Sequence, residues 1–130
     1  MKQIKVTIER GKDDYGAFID GIPGIYGAGA TPREAMQSVR DAIALYKKYN
    51  TKIPAALKGK YELVHKFDIA SLLNYYKGIF TKSGLERLTG INQKQLQHYS
   101  SGLRKPRPAQ VKKIEAALHA LGQELSAVEL

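Results

Sequence analysis

The chain contains no cysteine, which excludes disulfides and thiolate metal sites and fits a cytoplasmic setting. It has no tryptophan and no apolar run approaching the length of a membrane span. The start, Met1-Lys2-Gln3-Ile4-Lys5, lacks the apolar core of a secretory signal and leads straight into alternating residues. Internal repeats and low-complexity segments are also missing. One absence is local. After Glu86 the next acid is Glu115, and between them lie Arg87, Lys94, Arg104, Lys105, Arg107, Lys112 and Lys113.

What is present is an ordinary globular composition over 130 residues, enough for one domain or two small ones. The net charge of +9 points to a polyanionic partner, because basic side chains that neutralise phosphates release counterions. A generally basic soluble surface is the plainer reading of that total. Distribution favours the first: residues 1 to 68 mix both signs, whereas the stretch after Glu86 has the form of an electrostatic footprint.

Two textures follow one another along the chain. Ile4, Val6 and Ile8 alternate with polar residues, the period of a half-buried strand over residues 2 to 9. A turn at Gly11-Lys12-Asp13-Asp14 leads to a second strand, Tyr15 to Ile19, and so to an antiparallel hairpin. After the break Gly21-Ile22-Pro23-Gly24, residues Ile25 to Ala30 form a third, short strand, with Gly27 and Gly29 permitting close backbone approach. Thr31-Pro32-Arg33-Glu34 opens a helix by a capping box with proline at the first helical position. Its stripe is Ala35, Val39, Ala42, Ile43 and Tyr46, and it runs to about Tyr49. A connection over residues 50 to 60 precedes a fourth strand, Tyr61 to Phe67. The first half is thus strand-strand-strand-helix-strand.

From Asp68 onward only helices are expected. Asp68 caps a helix with Ile69, Leu72, Leu73 and Tyr76 on one face, and Gly78 stops it. Ser83-Gly84-Leu85-Glu86 is a capping box for a short helix through Leu88, ended by Gly90. Asn92 caps the next, whose inner face is Leu96 and Tyr99 and whose end is Gly102. A basic loop, Leu103 to Pro108, leads to a helix from Ala109 to about Leu121 with Val111, Ile114, Ala117, Leu118 and Leu121 inward. The tail to Leu130 adds a short strand or turn. The fold class is therefore α+β, with residues 1–67 as one domain and 68–130 as an all-α second domain.

Ser83 to Gly102 has the spacing of a helix-turn-helix, in which the first helix braces the second so that its N-terminal half enters the major groove. Leu85, Gly90-Ile91-Asn92-Gln93, Leu96, Gly102, Arg104-Lys105-Pro106, Lys113-Ile114, Ala117-Leu118 and Leu121-Gly122 together resemble the lambda-repressor-type (Xre) superfamily. Glu86 departs from it, since that position is usually small. The resemblance assigns base reading to Gln93, Lys94 and His98, with Gln97 close by, and all four point outward while Leu96 and Tyr99 face in. Arg104, Lys105 and Arg107 would hold phosphates, fixing register without reading sequence. Solvated polar residues and an ordinary basic loop are the alternatives for the two sets. Tyr75, Tyr76 and Tyr99 read as core or interface aromatics rather than base-stacking groups.

In the first half, Asp14-Tyr15-Gly16-Ala17, Ile22-Pro23-Gly24, Gly27 and Thr31-Pro32-Arg33-Glu34-Ala35 resemble the HicB antitoxin family over residues 4 to 65. Ile25 stands where that family often has cysteine. The resemblance implies a degraded ribonuclease H-like fold that binds and blocks a HicA-like RNA-cleaving toxin, with the second domain repressing its own operon on double-stranded operator DNA. Asp13, Asp14 and Asp20 could face a basic toxin, but they serve equally well as turn acids. A net basic antitoxin needs strand-edge pairing and apolar contacts as well. The other reading is a transcription regulator whose first domain binds a different ligand or only dimerises.

Catalysis and metal binding are not expected. Two-metal phosphodiester chemistry needs several converging carboxylates, and Glu9, Asp13, Asp14, Asp20, Glu34, Asp41 and Glu62 show no such set. His65, His98 and His119 lack ligand spacing. No cofactor is implied. A homodimer or higher homo-oligomer is expected, because one short helix contacts too little DNA for specificity and operators are paired half-sites.

Overall fold

A computed structural model describes all 130 residues and is mixed α+β, with four strands and five helices. No helix is long and apolar enough to cross a membrane. The chain divides into two compact units, Met1–Asp68 and Ile69–Leu130.

In the first unit, β1 (Lys2–Arg10), β2 (Tyr15–Ile19), β3 (Tyr26–Gly29) and β4 (Tyr61–Phe67) form one sheet in the order β3-β2-β1-β4. The β1–β2 and β2–β3 pairs are antiparallel, and β4 returns parallel to β1. A parallel return needs a crossover. Helix α1 (Pro32–Tyr49) and a 3-10 turn at Ala55–Leu57 make up that connection. Alternation puts Ile4, Val6, Ile8, Tyr15, Ala17 and Ile19 on the inner face, where they meet Ala35, Met36, Val39 and Ile43 of α1. The register continues the row outward, setting Ile4 beside Leu63 and Ile8 beside Phe67.

The glycines of β3 determine how closely α1 lies on the sheet. A Cβ built on Gly27 would sit 2.6 Å from the Val39 nitrogen, and one on Gly29 would sit 2.7 Å from the Ala35 nitrogen. Side chains at these positions would push the helix off. The start of α1 differs in detail from a capping box. Thr31 Oγ1 accepts from the Glu34 amide at 3.2 Å, but the Glu34 carboxylate accepts from Ala30 rather than from Thr31. It thereby ties the end of β3 to the first turn of α1.

The second unit holds α2 (Ile69–Tyr75), α3 (Lys82–Thr89), α4 (Gln93–Ser101) and α5 (Pro108–Ser126). Its core is Leu73, Leu85, Ile91, Leu96, Tyr99 and Ile114. Two expectations are corrected here. First, α3 is capped by Thr81, whose hydroxyl accepts from the Gly84 amide at 2.9 Å, and not by Ser83. Thr81 suits the cap because its backbone is extended (φ −76°, ψ 158°), whereas Ser83 lies inside the helix. Second, α5 does not stop at Leu121 but continues through Gly122 to Ser126. A helical glycine weakens a helix without ending it. Of the side chains expected inward on α5, only Ile114 is fully buried; Val111, Ala117, Leu118 and Leu121 are half-covered.

Candidate nucleic-acid interface

Three residues, Gly90–Asn92, join α3 to α4. Gly90 ends α3 in the left-handed region (φ 77°), a conformation that costs glycine little. Buried Thr89 stitches the turn: its hydroxyl donates to the Leu85 carbonyl at 2.7 Å and accepts from the Ile91 amide at 3.1 Å. Asn92 then caps α4, its side chain accepting from the Gln95 amide at 2.8 Å. Leu96 and Tyr99 anchor α4 in the core. Asn74 of α2 donates to the Ser100 carbonyl at 2.7 Å and braces its far end. The outer side of α4 is therefore presented by a helix fixed at both ends.

That side carries Gln93, Lys94 and Gln97 exposed and His98 half-buried. Lys94 and His98, one turn apart, open onto a groove of about 470 Å³. Arg104 reaches the same groove from the following loop, and Gln110 and Lys113 reach it from α5. The loop is held by the Arg104 amide donating to the His98 carbonyl at 3.2 Å. Lys113 lies across the turn, its side chain 3.8 Å from a Cβ placed on Gly90. Three cationic side chains, from α4, the loop and α5, thus line one concavity, and the two amides of Gln95 and Gln110 stand among them. Such a surface attracts anions and offers donors to them.

Not every expected residue joins this cluster. Gln93 and Gln97 sit on the neighbouring exposed strip of α4, and Lys105 and Arg107 are exposed but do not line the groove. Arg107 is the residue before α5 and makes no side-chain cap. Lys113 was legible as charge but not as a groove residue, because its place depends on how α5 packs against the turn.

Glu86 has a different task from the one its sequence position suggests. It does not close a capping box on its own helix. One carboxylate oxygen accepts from the Gln93 amide at 3.1 Å, and the other accepts from the Gln93 side-chain nitrogen at 3.4 Å. A negative group at the N-terminus of α4 is favoured by the helix dipole and satisfies an otherwise free N–H. It also orients the Gln93 side chain.

The acids of the first unit are spread over separate tasks. Asp20 accepts from Thr7, Asp41 from Gln37 and Glu62 from Gln3. No group of three or more such side chains is placed to hold a metal ion. The sheet face away from α1 carries Phe18 beside Tyr26, 40% and 72% exposed. No family model, curated protein or solved structure matches the chain.

Proposed function

We propose that the chain is an antitoxin-type repressor whose second unit binds operator DNA and whose first unit binds and blocks a HicA-like RNA-cleaving toxin, with no catalysis of its own. The observation that carries the DNA half is the cationic groove of Lys94, Arg104 and Lys113 beside the exposed strip of a helix fixed at both ends. In this reading the N-terminal half of α4 enters the major groove. Gln93, Lys94, Gln97 and His98 face base edges, and Arg104, Lys105 and Arg107 hold phosphates. The chain acts as a homodimer or higher oligomer on paired half-sites.

For the toxin half, the support is the HicB-like order of motifs together with two free sheet edges, β3 and β4, and the exposed Phe18 and Tyr26. Edge pairing and aromatic contact are the terms a basic antitoxin needs against a basic toxin.

The test is binding of the full chain to duplexes from its own upstream region over a salt series. Gln93→Ala and Lys94→Ala should weaken specific binding. Arg104→Ala or Lys105→Ala should weaken binding to all sequences alike and lower the salt slope by about 1. Equal affinity of all four variants to the parent at moderate salt removes the mechanism. Co-expression with the neighbouring small reading frame tests the toxin half: arrest by the neighbour alone, with rescue and co-purification by this chain, is the expected result. A harmless neighbour leaves a transcription regulator whose first unit has another ligand.

A further inference from the structure

The sheet of the first unit is covered unevenly. Helix α1 lies over β3 and β2 and reaches little of β1. The inner-side row of β4 stands beyond it, with Tyr61, Leu63 and Phe67 half-buried and His65 exposed. β4 is also the last strand of the sheet and pairs with β1 alone, so the backbone groups of every second residue have no partner strand. Between this strand and α1 opens a concavity of about 590 Å³, floored by Ile43, Tyr61 and Leu63.

Its walls are cationic. Arg40 and Lys47, two turns apart on one side of α1, line it together with Lys60, the residue before β4. Lys47 lies over the Tyr61 ring at 4.9 Å and donates to its hydroxyl at 3.3 Å, which uses one of its three N–H groups. Arg40 and Lys60 make no hydrogen bond or ion pair within the chain. Burial and the Arg40 guanidinium together hold His65 below its ordinary pKa, so that guanidinium stands near the β4 row. The one acid of the lining, Glu62, belongs to the outer row and accepts from Gln3. Lysines carried by an edge strand block pairing. Here two of the three cations come from the helix, beside the strand rather than on it.

We infer that the β4 edge binds an extended acidic peptide, whose backbone continues the sheet and whose carboxylates on the α1 side meet Arg40, Lys47 and Lys60. Edge pairing supplies the backbone bonds, and the cations select the sign of the partner. A single-stranded nucleic acid fits less well, since Lys47 covers the Tyr61 ring and the concavity offers no open ring for a base to stack on. A second copy of this chain would bring the same cations with its own β4. A basic toxin is repelled as well, so the inference goes beyond the toxin reading and stands or falls apart from it.

The probe is a capped heptapeptide alternating glutamate and valine, titrated into the isotope-labelled full chain. Amide shifts should move at residues 40–47 and 60–67, and the β4 amides that β1 leaves unpaired should gain protection from exchange. The lysine–valine counterpart should not bind. Arg40→Gln combined with Lys60→Gln, at two exposed positions, should weaken the acidic peptide on the order of tenfold while leaving the thermal transition unchanged. Of two copies N-methylated at alternate residues, one should fail to bind, because only one set of amides faces β4. The inference is overturned by no shifts at millimolar peptide, by shifts confined to the Lys94–Arg104–Lys113 groove, or by unchanged affinity of the double variant. Equal binding of both methylated copies also overturns it. So does protection of the β4 edge before peptide is added, which would mean that a second copy fills it, or a single-stranded oligothymidylate that moves the same residues when the peptide does not. None of these outcomes touches the operator or toxin readings, which the duplex and co-expression experiments decide.

Discussion

The two units use their long helices in opposite ways. Helix α1, with 18 residues, buries Pro32, Ala35, Met36, Val39 and Ile43 against a sheet, whereas α5, with 19, buries only Ile114. The first core gathers thirteen buried apolar residues and the second only six. Most helical stability in proteins comes from packing an apolar face. A helix as long as α5 with one buried side chain therefore has apolar surface left for something else. The first unit turns most of the apolar stripe of its long helix inward; the second leaves most of that of its long helix only partly covered or exposed, along with much of its positive charge.

The sharpest way to break this comparison is to empty one core and watch the other. Leu96→Ala removes a fully buried side chain from the smaller core and should cost about 2–5 kcal/mol. Hydrogen exchange should show amides of α2 to α5 losing protection while the β1, β2 and β4 amides keep theirs. If the sheet amides open together with the helices, the two units are one cooperative body and the comparison fails.

The reverse experiment targets the close approach in the first unit. Gly27→Ala forces a Cβ to 2.6 Å from the Val39 nitrogen, and overpacking of this kind costs about 1–3 kcal/mol. The thermal transition of the first unit should fall while that of the second stays put. Gly16→Ala, on the same sheet with nothing within 4 Å of its Cβ, is the control and should be nearly silent.

A smaller effect is expected at Glu86. Glu86→Ala frees the first N–H of α4 and the Gln93 side chain, and losing a cap of this sort costs about 1 kcal/mol in the second unit. Under the operator reading, base preference should relax at the position Gln93 faces, with little change at positions facing Gln97. A duplex library bound by parent and variant measures both. Unchanged preference at every position would mean that Glu86 stabilises α4 without orienting a reading side chain.

The order of strands and helices was legible in the sequence because its signals are local. Alternation in β1, Pro32 after Thr31 and the capping Asn92 each act within a few residues. What was not legible depends on packing. Thr81 and Ser83 both suit a cap, and only the path of the chain into α3 decides between them. Gly122 looks like a stop by composition, yet α5 runs through it to Ser126 without a left-handed residue there. Lys94, His98 and Arg104, singled out by pattern, line one groove. Lys113 was missed as a groove residue because α5 folds back over the turn from about twenty positions away. The bond from Glu86 to Gln93 joins two helices, and a within-helix pattern described it wrongly.

The mildest contrast between the units is their response to acid. His65 shares the inner-side register of β4, opposite Val6, and its pKa lies below the ordinary 6.5 because of partial burial and the nearby Arg40 guanidinium. A lowered folded-state pKa means that the unfolded chain binds the proton more readily. Stability from this group is therefore complete above about 6.5 and declines as pH falls through that value toward the folded-state pKa, below which it declines no further. The first unit should soften slightly between neutral and mildly acidic pH. His65→Gln should remove that softening without touching the transition of the second unit. If the slope persists in His65→Gln, some other group in the first unit titrates. If both units soften alike, their responses to acid do not distinguish them, and the contrast rests on packing alone.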